Sequence, residues 1–234
     1  MNYYIDFDST IYNTRSLVTR MINSLVDTIY SKKNLDKQSL LQEIQSLFNN
    51  GNKHIYEVAK ELSNTYNVES NLLITNLNNV ISNGSDLVFE DSIPFLLRLK
   101  NQNNNIFLLT YSNKDIEYQT LKILGSGLCK YFDAVYITSK PKYELDIDYS
   151  NGIFIDDNPE DLQGLYLKNA KRIIRIRREQ NSYSKQDISN IDIEEYNNLE
   201  KIDINWYFKD FKEVNYAKKK NSSFRWRYTV LLQF

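Results

Sequence analysis

Hydrophobic positions divide this chain into two kinds of segment. Between residues 15 and 85 they recur at helical spacing. Leu17, Val18, Met21, Ile22, Leu25, Val26 and Ile29 form the first set, and Leu40, Leu41, Ile44, Leu47 and Phe48 the second. Ile55, Val58, Ala59, Leu62 and Tyr66 form the third, and Leu73, Leu77, Val80 and Ile81 the fourth. Each set lines one face of a helix, so a run of helices with no intervening strand is predicted. A further helix, Asp91 to Lys100, has Pro94 in its first turn, where proline is tolerated.

Elsewhere the apolar runs are short and continuous, as in buried strands. They are Tyr3-Tyr4-Ile5, "NIFLLT" (105–110), "DAVYIT" (133–138), "GIFID" (152–156) and "KRIIRIR" (171–177). A helix is predicted from Asp115 to about Leu124, ended by Gly125 and Gly127. Another opens on Asn158 as N-cap and Pro159 as first helical residue. Strands alternating with helices predict an α/β fold, a Rossmann-like parallel sheet covered on both faces. The helical run becomes an all-helical insert directly after strand one. The predicted division is a core of residues 1–12 and 88–205, an insert of 13–87, and a C-terminal tail, 206–234, left unassigned.

Composition narrows the function classes. The formal net charge of -1 gives no bulk attraction to nucleic acid or to an anionic membrane. No apolar run approaches the ~18 residues of a membrane span. The N-terminus lacks a basic region followed by an apolar one, so no signal peptide is expected. Cys129 is the only cysteine, which excludes an internal disulfide. These absences lead to the expectation of a cytoplasmic protein.

The chemistry gathers at strand ends. Strand one closes on Asp6 and Asp8, which alternation along an extended chain points to one side. Strand two closes on Thr110, with Ser112 and Asn113 just beyond. Lys140 and Lys142 follow strand three; Asp156 and Asp157 close strand four, with Asp161 one helical turn further. A parallel sheet brings all of these to one edge, where such sheets bind ligands. Clustered carboxylates repel unless a cation lies between them, and Mg²⁺ suits oxygen ligands. A lysine and a hydroxyl beside it suit a phosphoryl group.

"IDFDST", "FLLT", "SKPK" and "FIDDNPED", in this order, resemble the four motifs of the haloacid dehalogenase superfamily. The helical insert resembles that family's cap, and the resemblance covers roughly residues 1 to 180. It implies that Asp6 is the nucleophile, forming an aspartyl phosphate. It implies that Asp8 is general acid and then base, with its backbone carbonyl ligating Mg²⁺ beside the carboxylates of Asp6 and Asp157. Asp156 joins the metal group or, with Asp161, orients waters and the lysine. Thr110 and Lys140 bind the phosphoryl group, with Thr10 and Ser112 beside them. Family members that displace halide do not use a second aspartate at the position of Asp8. Family members commonly carry a full helix in the segment that is here "SKPKYELDIDYSN" (139–151), and within it Lys140 is favoured over Lys142.

The predicted activity is therefore Mg²⁺-dependent hydrolysis of a small phosphate monoester. A phosphomutase or phosphotransferase is the alternative within the same fold. A non-catalytic phospho-ligand or nucleic-acid binding protein is the alternative from another class. Neither a membrane nor nucleic acid is expected as partner, and the oligomeric state is open. "KRIIRIRRE" reads as a charged edge strand, or, more sharply, as an anion-binding rim of Arg175, Arg177 and Arg178. His54, the single histidine, reads as an ordinary helix residue of the cap.

Overall fold

The computed structural model describes residues 1–33, 35–50, 53–112, 115–179, 181, 183–188, 191, 193–204 and 230–233. Seven parallel strands form one sheet in the order β6-β5-β4-β1-β2-β3-β7. They are β1 (Asn2–Ile5), β2 (Asn105–Tyr111), β3 (Ala134–Thr138), β4 (Gly152–Asp156), β5 (Arg172–Ile176), β6 (Glu194–Tyr196) and β7 (Val230–Gln233). The chain builds outward from β1 to β3 on one side, then crosses back and builds β4 to β6 on the other. Strand order therefore reverses beside β1, which is where such sheets open a crevice for ligands. Register fixes what faces that crevice: Ile5 pairs with Leu108 on one side and Ile155 on the other. Asp6 and Asp156 consequently leave their strands level with each other.

Alternation sorts the buried side chains onto two faces. Tyr3, Ile5, Ile106, Leu108, Ile153 and Ile155 join the larger core, with α5 (Ser92–Asn101) and α6 (Ile116–Ser126). Tyr4, Leu109 and Phe154 join the smaller one, under α7 (Pro159–Leu167). There Tyr4 lies between the rings of Phe107 and Phe154, at 5.1 and 4.9 Å.

Four helices stand between β1 and α5, as the periodicity predicts: α1 (Thr14–Tyr30), α2 (Lys37–Asn50), α3 (Ile55–Tyr66) and α4 (Ser70–Ser82). Their apolar stripes, among them Leu17, Leu25, Ile44, Leu62 and Leu77, are continuous with the larger core. None of the described helices is long and apolar enough to cross a membrane. Most of the C-terminal segment lies outside the described residues; Val230–Gln233 pairs with β3 as β7.

Two local readings change. β5 is not an edge strand, because β6 pairs beside it. The "EEY" of β6 neutralises the arginines: Glu194 accepts from Arg172 at 2.5 and 2.6 Å, and Glu195 from Arg175 at 3.0 Å. Arg175 is fully buried and also donates to the carbonyls of Tyr183 and Gln186, so it forms no anion-binding rim.

Gly125 does not end α6. The left-handed cap is Gly127, at φ 70°, and Gly125 lies inside the helix where it meets the end of α4. A Cβ there would stand 2.4 Å from the Ile81 carbonyl oxygen and 2.8 Å from backbone atoms of Ser82. In an open helix Gly→Ala gains ~1 kcal/mol, whereas overpacking costs ~1–3 kcal/mol. Because backbone atoms cannot swing aside, Gly125→Ala is expected to lose about 1–2 kcal/mol net. Urea unfolding checks this through a lower midpoint at unchanged slope.

Candidate active site

The site begins where β1 ends. After Asp6 the chain turns sharply: the Phe7 carbonyl accepts from the amides of Ile11 and Tyr12, at 3.2 and 3.1 Å. Ser9 takes φ 59°, a left-handed conformation that costs a side-chain-bearing residue ~1–2 kcal/mol. The surroundings enforce it. Phe7 and Tyr12 are fully buried and stack at 4.8 Å. Buried Arg178 donates to the Thr10 carbonyl at 2.9 Å and pairs with both oxygens of Asp91 at 2.7 and 2.8 Å. Arg178 therefore anchors the loop between Asp6 and α1 and is occupied internally; Arg177 is paired as well, with Asp187 and with Glu195 at 3.3 Å, so the three arginines form no anion-binding rim.

Beyond β4, Asp156 Oδ1 accepts from the Asn158 amide at 3.0 Å, and Oδ2 from Lys142 Nζ at 2.6 Å. The same ammonium donates to Asp6 Oδ1 at 2.6 Å and lies 3.8 Å from Asp161. Here the structure corrects the sequence reading: Lys142, and not Lys140, occupies the site. Lys142 is 3 % exposed, whereas the Lys140 side chain is exposed. The crossover from β3 to β4 holds two short 3-10 turns in place of a helix, Lys142–Glu144 and Tyr149–Asn151. Thr138 Oγ1 donates to the Lys140 carbonyl and accepts from its amide, both at 3.0 Å. That knot spends residues 139–141 on leaving the strand and aims position 142 inward.

The carboxylates of Asp6, Asp156 and Asp157 each bring an oxygen within 4.8 Å of the others. Asp157 accepts from Asn181, and from Thr10 Oγ1 at 3.5 Å. Asp6 Oδ2 is buried without a hydrogen-bond partner among the described residues. Both oxygens of Asp156 and both of Asp157 are engaged, so Asp6 Oδ2 is the oxygen of the trio left open to a cation. An orphaned buried carboxylate oxygen beside two further carboxylates fits a hard divalent ion such as Mg²⁺. Asp8 brings no carboxylate oxygen to this trio. Its Oδ1 accepts from Lys122 Nζ at 2.5 Å and from the Thr14 hydroxyl, and its Oδ2 from Gln119 Nε2 at 2.8 Å.

Charge states follow from burial and neighbours. Burial, with the charges of Asp156 and Asp8, pushes Asp6 up to about 7 against the pull of Lys142. Burial and the charges of Asp6 and Asp156 hold Asp157 well above the usual carboxylate range, and burial pushes Asp161 to about 6. Burial alone would lower Lys142; Asp156, Asp6 and Asp161 outweigh it and keep the ammonium charged. For Asp8, burial is outweighed by Lys122, which holds the carboxyl low.

Thr110 is buried at the end of β2, and its Oγ1 accepts from Gln119 Nε2 at 2.8 Å. Ser112 donates its hydroxyl to the Asp115 carbonyl at 2.9 Å, a local loop contact; Asn113 lies outside the described residues. His54 caps α3 and reaches the core, with Nδ1 3.6 Å from Asp115 and its ring edge-on to Tyr118 at 5.2 Å. The sequence reading missed Gln119, Lys122, Asn181 and the Arg178–Asp91 pair. A signal existed for two of them. The buried stripe of α6 is Gln119, Lys122, Ile123 and Ser126, so polar residues stand where helical spacing calls for apolar ones.

No protein-family model and no curated protein matches the sequence. Solved structures do. A haloacid dehalogenase-like hydrolase from Burkholderia xenovorans LB400 superposes with a TM-score of 0.64 at 14% identity, over 85% of this chain and 92% of that one. A HAD phosphatase from Thermococcus onnurineus gives 0.56 at 17% identity, over 85% and 94%. A 2-haloacid dehalogenase from Pseudomonas syringae pv. Tomato DC3000 gives 0.54 at 16% identity, over 85% and 94%. The chain has the haloacid dehalogenase-type fold.

The raised acids make metal and pH interdependent. A carboxyl whose folded pKa exceeds its unfolded value stabilises the fold at low pH, and that contribution is lost as pH rises through the folded value. In EDTA the protein is therefore expected to lose stability between pH 4 and about 7, the range spanned by the raised values of Asp6 and Asp161. Mg²⁺ should raise Tm by several °C at pH 8 and by much less at pH 5, where protons compete for the same oxygens. Thermal unfolding with and without Mg²⁺ at both pH values checks this; an equal Mg²⁺ effect at the two would refute it.

Proposed function

We propose that this chain is a Mg²⁺-dependent phosphatase that hydrolyses a small phosphate monoester through an aspartyl phosphate on Asp6. The observation that carries the reading is the asymmetry of the Asp6 carboxylate. Lys142 holds one oxygen, and the other, buried beside Asp157, has no hydrogen-bond partner among the described residues. A carboxylate turned in this way by a buried ammonium, with one oxygen open to a cation, is an oriented nucleophile.

When bound, Mg²⁺ would be held by the carboxylates of Asp6 and Asp157 with the Asp8 carbonyl, and would draw negative charge from the phosphoryl oxygens. The protein supplies the rest. A carboxylate oxygen of Asp6 attacks phosphorus while the bond to the ester oxygen breaks, and Asp8, which has to take up a proton against the pull of Lys122 before the reaction, gives that oxygen its proton. Asp8 then takes a proton from the water that attacks the aspartyl phosphate, which releases phosphate and restores Asp6. Lys142 offsets charge on the phosphoryl group, and Thr110 donates its hydroxyl to it.

The fold also supports dehalogenases, but a second carboxylate at position 8 with three side-chain donors on it has no task in displacing halide. The helices between β1 and α5 support a small substrate, because His54 and Tyr56 pack against Tyr118, one helical turn from Lys122 on Asp8.

Trapping the phosphoenzyme tests the reading. Asp6→Asn should form none. Asp8→Asn should accept a phosphoryl group from p-nitrophenyl phosphate, whose leaving group needs little protonation, and release it ~10²- to 10⁴-fold more slowly than wild type. Lys142→Met should lower kcat/KM ~10²- to 10³-fold, whereas Lys140→Met should stay within about twofold, as expected for an exposed side chain. Acid-quenched intact mass spectrometry and steady-state kinetics read these outcomes. Absence of both phosphoenzyme and turnover in wild type across a set of phosphate esters would refute the activity.

A further inference from the structure

We propose that Lys122, together with Gln119, is a positioning residue that holds the Asp8 carboxylate and the Thr110 hydroxyl in their working orientations. This rests on the reading of Asp8 as the proton-transfer group.

Both residues project from one face of α6, a single turn apart. Lys122 is 3 % exposed, and its ammonium sits over the rings of Tyr118 and Phe7 at 5.1 and 5.7 Å. Among the described residues Asp8 is its one ion-pair partner, at 2.5 Å. Gln119 takes the other Asp8 oxygen, and the same amide nitrogen reaches Thr110 Oγ1; both contacts are 2.8 Å. One amide group therefore ties the general acid to the hydroxyl at the end of β2. Because Gln119 donates to Thr110, the threonine's own hydrogen is left for another acceptor, as binding a phosphoryl oxygen requires.

Stability does not call for this arrangement. A buried ion pair is commonly no better than well-packed apolar side chains of the same volume. A short carboxylate with donors on both oxygens is, however, fixed in its plane, and proton transfer depends on that plane. A caged cation thus stands on the acid/base group, separate from Lys142 on the nucleophile.

The test uses aryl phosphates graded from p-nitrophenyl to p-methoxyphenyl, with kcat/KM as readout because it reports steps up to phosphoryl transfer onto Asp6. Lys122→Met keeps the stem against Phe7 and Tyr118. It should lose less than about fivefold with p-nitrophenyl phosphate but ~10²-fold with p-methoxyphenyl phosphate, where the leaving oxygen needs its proton, even though removing the cation lets burial raise Asp8 and leaves more of its acid form: the loss is one of orientation. In an Asp8→Asn background Lys122→Met should cost less than about threefold more, since its effect passes through Asp8. A uniform loss across the series, or full multiplication in the double variant, would overturn the assignment. If Lys122→Met fails to fold because it strands the Asp8 charge, Gln119→Leu reads the same question. It should steepen the leaving-group dependence, and a flat loss would again overturn it. If wild type hydrolyses none of these esters, the phosphatase reading falls and this inference with it; an active wild type with a flat Lys122→Met loss overturns the inference alone.

Discussion

A single buried ammonium makes the rest of this site possible. Asp6, Asp156, Asp157 and Asp161 converge on one edge of a sheet, where water cannot screen them. Uncompensated buried charges cost several kcal/mol each, and four acids in one crevice would drive the strands apart or take up protons. Lys142 touches Asp6 and Asp156 and approaches Asp161, so it offsets the charge at the point where the strand order reverses. It does not offset all of it. The remainder, on Asp6 Oδ2 and Asp157, is the negative field that makes a divalent cation part of the site.

Around that centre the polypeptide is held by contacts that have no chemistry of their own. The strained turn at Ser9 persists because Arg178 grips the next residue's carbonyl and is itself gripped by Asp91, 87 positions away in sequence. That pair ties the strand-end loop to the start of α5. Both sides of the nucleophile are then fixed, one by Lys142 and the other by the Arg178 anchor.

Much of this was legible in the sequence, and the gaps have physical causes. Apolar runs and periodic stripes revealed the strands, the inserted helices and the acids at the strand ends, because burial on both faces leaves little freedom in where such residues go. The choice between Lys140 and Lys142 was not legible. They lie two apart on a connection without regular structure, and the Thr138 knot that decides between them is a backbone arrangement with no sequence pattern. The arginines of "RIIRIRR" looked like a charged surface because their partners, Glu194, Glu195 and Asp91, lie far away in sequence and carry no period. Gln119 and Lys122 were legible in principle. A helix whose inward stripe contains an amide and an amine either wastes burial or uses it, and only placing α6 beside Asp8 and Thr110 shows which.

The connection that carries Lys142 has a consequence for how this chain can vary. Loops usually absorb an extra residue for a few tenths of a kcal/mol, because closure entropy grows only slowly with length. The 139–151 segment cannot. Tyr149 donates its hydroxyl to the carbonyls of Lys142 and Leu145, at 3.0 and 2.7 Å. The Tyr143 ring lies against Gly164 so closely that a Cβ there would meet it at 2.1 Å. Two aromatic rings, both following the lysine in the chain, thus pin the loop and set its length like the marks on a ruler. One inserted residue would leave the fold's core untouched and carry the ammonium out of reach of Asp6. In this protein, a surface connection is metrically as constrained as a strand at the centre of the sheet.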